Sequence, residues 1–276
     1  MNSRKVAVIG CGAIGEILAK SIDRGEAGKN ELSYLFDLEM EKAESLAKEL
    51  SKQPIVASEI SEILNDEEVD LVVEAASQKA VIEYSSSILK SEKDLIVLSI
   101  GAFANKELYD KVSKEAEEMG QRVYLPSGAI LGVDGLKSVS MADINEARLV
   151  TQKPPETLST TKFVQEESID LSDLEEPKVV FEGTAQKAVE AFPESVNVAA
   201  TLSLSTVGFE RTQVKIIADP SINRNIHEIH VKGDAGKFMA ESRNVPSPDN
   251  PKTSYLAALS AVRTLKNLTE AVSIGT

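Results

Sequence analysis

The sequence predicts an α/β fold built on a parallel sheet with helices on both faces. Three observations carry that prediction. Through the first half of the chain, short apolar runs alternate with amphipathic stretches at helical spacing. The apolar runs are near-continuous Val, Ile and Leu, the pattern of strands buried on both faces rather than on one. The first run ends in a glycine cluster that leads into a helical stretch.

The elements follow in order. KVAVIG (5–10) is a strand, and AIGEILAKSIDRG (13–25) is a helix that Gly25 ends. ELSYLFD (31–37) is the second strand, followed by the charged helix LEMEKAESLAKELSK (38–52). DLVVEAA (70–76) and DLIVLSI (94–100) are further strands, each preceded by a helix-like stretch. ANKELYDKVSKEAEEMG (104–120) is a helix stopped by Gly120, and QRVYLP (121–126) is the next strand. Repeated strand–helix–strand units of this kind build a parallel sheet.

The pattern changes after Pro126, so 1–126 reads as one domain and 127–248 as a second, smaller α+β domain. Residues 126–144 are a loop feeding a helix, and EARLVTQKP (146–154) is a strand. The acidic, Pro-bearing stretch 154–177 reads as an exposed loop or lid. A short strand (178–183) and a helix (196–206) follow. TQVKIIAD (212–219), NIHEIHVKG (225–233) and KFMAESR (237–243) read as a three-strand antiparallel run. NPKTSYLAALSAVRTLKNL (250–268) is a final helix, with Asn250-Pro251 at its entry.

Composition narrows the function. A chain of 276 residues that is 42% hydrophobic can build a full core, and with 4% aromatics and no Trp that core rests on Val, Ile, Leu and Ala. The formal charge of −14 repels phosphate backbones and anionic bilayers, which argues against nucleic-acid and membrane partners. It also means that any anionic ligand needs local positive groups or helix N-termini. A single Cys excludes an internal disulfide framework and a Cys-based zinc site, and fits a reducing, cytoplasmic setting. No run of about 18 apolar residues is present to span a membrane.

The loop Gly10-Cys11-Gly12-Ala13-Ile14-Gly15 follows a strand and opens a helix. The first Gly permits a tight turn, the second lets a pyrophosphate approach the backbone, and the third lets helix pack on strand. Phosphates then sit on the free N–H groups of the helix start. Asp37 closes the second strand, where a carboxylate accepts hydrogen bonds from a ribose hydroxyl. This is the Rossmann-type doubly wound arrangement, with NAD or NADP as cofactor. Asp37 favours NAD by repelling a 2′-phosphate. The plain alternative, a glycine-rich turn without a ligand, accounts for the glycines but not for Asp37. Cys11 sits at a variable loop position and reads as packing.

Both histidines of the chain lie in NIHEIHV (225–231). On a strand, His227 shares a face with Asn225, Ile229 and Val231, and His230 shares the other with Ile226, Glu228 and Lys232. Three residues apart, they do not enter one pocket, so a paired metal site is not expected. The face of His227 is the more apolar and is expected to point inward, where an imidazole can move protons. A satisfied, half-buried histidine is the bland reading for His227, and a solvent-side one for His230.

Three loops complete the set. Pro126-Ser127-Gly128-Ala129 falls at the end of the last strand of the first domain. Phe192 to Ala200 places Asn197 at the start of an apolar helix, where an N-cap is the plain alternative. Asn244 to Ser254 carries three prolines and leads into the last helix. Taken with GCGAIG at the start, the segments PSGAI (126–130), FPESVNVAA (192–200), NIHEI (225–229) and NVPSPDNPKTSYLAALSA (244–261) resemble the L-aspartate dehydrogenase family over most of the chain. Two positions depart from the family pattern: Ser195 stands where Asn is usual, and Leu131 where a second Gly is usual.

The resemblance implies an oxidoreductase that converts L-aspartate and NAD(P)⁺ to iminoaspartate, which hydrolyses to oxaloacetate and ammonia, feeding quinolinate and de novo NAD formation. It implies His227 as the catalytic residue, cofactor contacts at Ala129 and Asn197, a homodimer, and a final segment (249–276) that packs back on the Rossmann domain. A substrate with two carboxylates needs cations, for which Lys162, Lys187, Arg211, Arg224 and Lys252 are candidates. The rival readings are a related dehydrogenase of another amino acid and an inactive NAD-binding sensor.

Overall fold

The computed structural model describes residues 3–193, 196–247 and 250–275, without the side chains of 250–253. It divides into two compact units, one formed by the chain up to Pro126 with Ala257–Ile274, the other by Ser127–Leu256.

The first unit holds six strands, β1 (Arg4–Ile9), β2 (Asn30–Phe36), β3 (Ile55–Val56), β4 (Leu71–Glu74), β5 (Asp94–Val97) and β6 (Val123–Tyr124). They form one sheet in the order β3-β2-β1-β4-β5-β6, with every pairing parallel. The chain winds outward from β1 to β3 and restarts at β4 beside β1, so the strand order reverses between β1 and β4. That reversal opens a crevice at the carboxyl ends of both strands. The crossovers carry α1 (Ala13–Asp23), α2 (Met40–Glu49), α3 (Ile60–Asn65), α4 (Gln78–Lys90) and α5 (Lys106–Met119). Ser77 caps α4 by accepting from the Ala80 N–H, and Asn105 caps α5 through Leu108 N–H. Gly120 ends α5 at φ 68°, a left-handed conformation that favours glycine.

The apolar residues of β1, β4 and β5 are buried and need cover on both faces of the sheet, and the C-terminal segment supplies part of it. Ala261 and Leu265 are fully buried in the same core as Val6, Leu18, Leu35 and Leu71. Asn30 Nδ2 donates to the Leu265 carbonyl (2.9 Å) and Lys29 N–H donates to Thr269 Oγ1 (3.0 Å), so backbone groups hold the segment as well as packing.

The second unit contains α6 (Val133–Val139), β7 (Ile144–Lys153), α7 (Pro155–Ser159), α8 (Lys162–Glu166), β8 (Lys178–Thr184), α9 (Ala185–Ala191), α10 (Asn197–Leu204), β9 (Gln213–Ala218), β10 (Ile226–Gly233), β11 (Gly236–Arg243) and the short ribbon β12 (Pro246–Ser247) with β13 (Asn250–Ser254). Its main sheet is mixed, in the order β11-β10-β7-β9-β8. This corrects the expected three-strand antiparallel run. Only β10 and β11 form a hairpin, and β7 lies between β9 and β10, parallel to the first and antiparallel to the second. At ten residues β7 is long enough to serve two neighbours, and local turn signals do not reveal a partner from 60 or more residues away. The last helix, α11 (Tyr255–Asn267), follows β13, and the chain rejoins the first unit at Ala257.

Residues 154–177 are also more ordered than an exposed lid. Leu158, Val164 and Leu171 are buried, and Phe163 packs on Phe181 and Phe192 at centroid distances of 6.0 and 4.9 Å. Aromatic contacts of this kind anchor the acidic stretch to β8 and to the end of α9. Among the described residues, no helix is long and apolar enough to cross a membrane.

Leu265→Ala removes a fully buried side chain from the first unit and is expected to lower its stability by about 2–5 kcal/mol, read by urea denaturation.

Candidate active site

The glycine loop of the first unit is built to keep space open. Gly10 has φ 93°, and a Cβ there would lie 2.7 Å from the Ala75 carbonyl. A Cβ on Gly15 would lie 1.8 Å from Gly10 O, so the third glycine permits the closest approach of helix to strand. Gly12 differs, because a Cβ there would meet nothing within 4 Å. It precedes α1, which no side chain caps, leaving the first-turn N–H groups at Ala13, Ile14 and Gly15 for an anion or solvent.

Asp37 is tied to this loop. Its Oδ2 accepts from Cys11 N–H at 2.7 Å and its Oδ1 from Glu39 N–H at 2.9 Å, which leaves lone pairs for a further hydroxyl donor. The cleft beside it, about 790 Å³ counting space open to solvent, is lined by Gly10, Gly12, Asp37, Leu38, Ala76 and Tyr84. Burial, and then the charge of Asp37, push the Cys11 thiol up to about 12, so it is inert.

Glu74 was not singled out by the sequence. It closes β4 at the reversal point and is 2% exposed. Burial pushes its carboxyl up, against donors at Ser99 N–H (3.0 Å), Ser99 Oγ (2.8 Å), Ala76 N–H (2.8 Å) and Leu98 N–H (3.2 Å). These bonds pin the ends of β4 and β5 beside the crevice. A charged residue ending an otherwise apolar strand was the available signal.

In the second unit the sheet register assembles the rest. Ser242, His227, Thr151 and Ile216 stand opposite one another across β11, β10, β7 and β9, on one face. His227 is 4% exposed, and its Nδ1 shares a hydrogen bond with Thr151 Oγ1 at 3.0 Å. Its Nε2 has no hydrogen-bond partner among the described residues. Burial, and then the positive charge of Lys153, lower its pKa to about 3, so the ring is neutral near pH 7. A ring held this far below its ordinary value is a weaker base than proton transfer near pH 7 favours.

Ala129 joins the same face. Its carbonyl accepts from Ser242 Oγ and Asn244 Nδ2, both at 2.9 Å. Asn197 is the first residue of α10, and Val196, not Asn197, occupies the cap position. The next two residues, Val198 and Ala199, line a small cavity with Thr151 and Lys153. The register thus brings His227, Ala129 and the start of α10 to one side of the sheet. His230 lies on the other, with Nε2 3.5 Å from Glu228. No group of three potential metal ligands is found among the described residues.

The expected cations do not gather there. Arg211 donates to the Ile144 carbonyl at 2.7 Å, Arg224 to its neighbour Asn223 at 3.1 Å, and Lys162 pairs with Glu166 at 3.4 Å. Lys187 is exposed, and the side chain of Lys252 lies outside the described residues, as does Ser195. Among the described residues the cation on this face is Lys153, which the sequence did not single out. Alternation from Leu149 through Thr151 was the signal for it.

Residues 134–268 match the family profile described as "Aspartate dehydrogenase, C-terminal", and residues 10–126 match "Homoserine dehydrogenase, NAD binding domain". An L-aspartate dehydrogenase of Methanosarcina mazei is 48% identical over 272 residues, covering 99% of each chain. The chain belongs to the L-aspartate dehydrogenase family. A solved member of that family, aspartate dehydrogenase from Thermotoga maritima, superposes with a TM-score of 0.78 at 33% identity over 99% of both chains. Homoserine dehydrogenase from Thiobacillus denitrificans, at 16% identity and a TM-score of 0.60 over 98% of this chain and 74% of that one, shares the fold. Family membership thus joins the nucleotide-type loop and the His227 face in one enzyme class.

A native pKa of about 3 against an unfolded value near 6.5 sets a pH dependence. As pH falls below about 6.5 the unfolded state takes up a proton that the native state refuses, so stability is lost. His227→Gln is expected to remove about 2 kcal/mol of the stability lost between pH 7 and pH 5, measured by urea unfolding at both pH values.

Proposed function

We propose that this protein oxidises L-aspartate with NAD(P)⁺ to iminoaspartate, which water converts to oxaloacetate and ammonia. The observation that carries the reading is the buried, neutral His227, held by Thr151 on the face that also holds Ala129, in a chain 48% identical to an L-aspartate dehydrogenase. Gly10, Gly12, Ala13, Ile14 and Gly15 would hold the dinucleotide's phosphates at the start of α1, which no side chain caps. Asp37 takes the ribose hydroxyls, and Ala129 and Asn197 contribute further contacts. The open space at Gly12 and the free acceptor capacity of Asp37 fit that group. When bound, the nicotinamide supplies the hydride acceptor.

The chain's own residues handle protons and charge. Thr151 fixes the His227 ring through Nδ1, leaving Nε2 as the nitrogen that accepts a proton from the substrate amine or from the attacking water. A ring neutral before substrate arrives is already in its base form. A product of this kind suits supply to quinolinate and NAD formation. A homodimer in the cytoplasm is the family expectation for the assembly.

The test is the absorbance of reduced nicotinamide with L-aspartate and either NAD⁺ or NADP⁺, beside other amino acids. A rise confined to L-aspartate is expected, and a rise with another amino acid instead overturns the substrate. His227→Ala is expected to lower kcat by about 100-fold or more, and wild-type turnover in this variant removes the proton role. Asp37→Ala is expected to narrow the preference for NAD⁺ over NADP⁺ by about tenfold, as loss of a charge-assisted hydrogen bond and of a repelling charge requires.

A further inference from the structure

Two lysines of the described chain are buried, and they are treated differently. Lys93, 2% exposed, donates from Nζ to the Asp66 carbonyl at 2.7 Å and to the Val69 carbonyl at 3.1 Å, with Asp66 and Asp70 close enough to favour its charge. Lys153, 7% exposed, has neither a hydrogen bond from Nζ nor an acidic partner among the described residues. Its surroundings in the small cavity are apolar, among them Leu158, Phe192, Val196, Val198 and Ala199. An unpaired buried ammonium is costly, and proteins ordinarily pair such a charge or replace it with an apolar group.

The position of Lys153 is set by β7. Ala147, Leu149, Thr151 and Lys153 form the buried row of that strand. Lys153 is therefore one strand repeat, about 6.6 Å, beyond the threonine that holds His227 Nδ1. The lysine also shares the sheet face of Thr151 and His227 in a protein of net charge −14, while the other candidate cations among the described residues are exposed or engaged.

We propose that Lys153 binds a carboxylate of the amino-dicarboxylate substrate beside His227, an inference that rests on the oxidoreductase reading of this face. Burial lowers the Lys153 pKa to about 8, so the side chain is still largely charged at pH 7. Its charge is one of the two causes that hold His227 low. A carboxylate on Lys153 cancels that repulsion, so substrate binding makes the neighbouring imidazole a better proton acceptor. Lys153 is then both the anchor of the substrate and the means by which its arrival is sensed at His227.

The experiment compares wild type, Lys153→Met and Lys153→Arg as full chains, using succinate as a probe that carries both carboxylates but no amine to oxidise. Succinate is expected to raise the Tm of wild type, partly that of Lys153→Arg, and not that of Lys153→Met. Without ligand, Lys153→Met is expected to melt at or above the wild-type temperature, because an apolar chain replaces an unpaired charge. In turnover, Lys153→Met is expected to raise KM for L-aspartate by about 10- to 100-fold, with NADH affinity by fluorescence unchanged. A wild-type succinate response and KM in Lys153→Met overturn the proposal, as does a collapse of kcat at unchanged KM, which assigns Lys153 to proton transfer. If wild type does not oxidise L-aspartate but its succinate response still depends on Lys153, the carboxylate site stands and the reaction assigned to it falls. If Lys153→Met does not fold, the succinate responses of Lys153→Arg and Lys153→Gln decide: retention in the first and loss in the second support the proposal, and equal responses overturn it.

Discussion

The pleat of β7 is the constraint on which the His227 face depends. Side chains alternate along a strand, so once Leu149 enters the core, Thr151 and Lys153 must follow it inward. Pairing with β10 sets His227 opposite Thr151, and pairing of β10 with β11 sets Ser242 opposite His227. Ser242 in turn holds the Ala129 carbonyl. A slip of one residue in β7 would move Thr151 and Lys153 to the other face, depriving His227 of its partner. The central place of β7, hydrogen-bonded on both edges, guards that register more firmly than an edge strand could.

Much of this was readable in the sequence, for reasons that are local. Near-continuous apolar strands separated by amphipathic stretches identified the parallel sheet, and Gly10, Gly12 and Gly15 between a strand and a helix identified the phosphate-type turn. Period-2 alternation placed His227 and His230 on opposite faces without reference to any neighbour. What remained hidden was non-local or depended on a charge without a motif. No turn signal shows that β9 lies beside β7 rather than β10. The Phe163, Phe181 and Phe192 cluster that anchors the acidic stretch joins three distant segments. Lys153 sits at the end of a strand, next to two prolines, where a surface lysine is the ordinary expectation. Only by carrying the alternation from Leu149 to the end of the strand does it become a core residue.

The two units meet the same electrostatic problem by different means. The protein is strongly acidic, while the ligands of its family, a dinucleotide and a diacid, are anions. In the first unit positive potential comes from the backbone: an uncapped helix start and a glycine loop whose geometry excludes side chains. Such a source is rigid and does not titrate. In the second unit it comes from one side chain in an apolar setting, where low local polarity strengthens attraction to a carboxylate and also makes the empty state costly. Stability given up at Lys153 is the kind of local inconsistency that marks a working residue rather than a structural one.

A neutral imidazole and a buried ammonium without a partner among the described residues give the second unit an order of events. With the pocket without substrate, His227 is held far from protonation by burial and by Lys153, so it arrives at the reaction as a free base whatever the pH above about 3. The same burial makes it a weak base, which by itself is a poor match to a proton transfer near pH 7. A change in local charge eases the conflict, and a substrate carboxylate at Lys153 removes the smaller of the two causes that hold the imidazole low, burial being the larger. Thr151, bonded to one ring nitrogen and two residues from the lysine, keeps the imidazole fixed while that field changes. An amino acid lacking the second carboxylate has one fewer group with which to neutralise Lys153 and raise His227. Discrimination for a diacid can therefore arise in the proton-transfer step as well as in binding, from the same pair of residues.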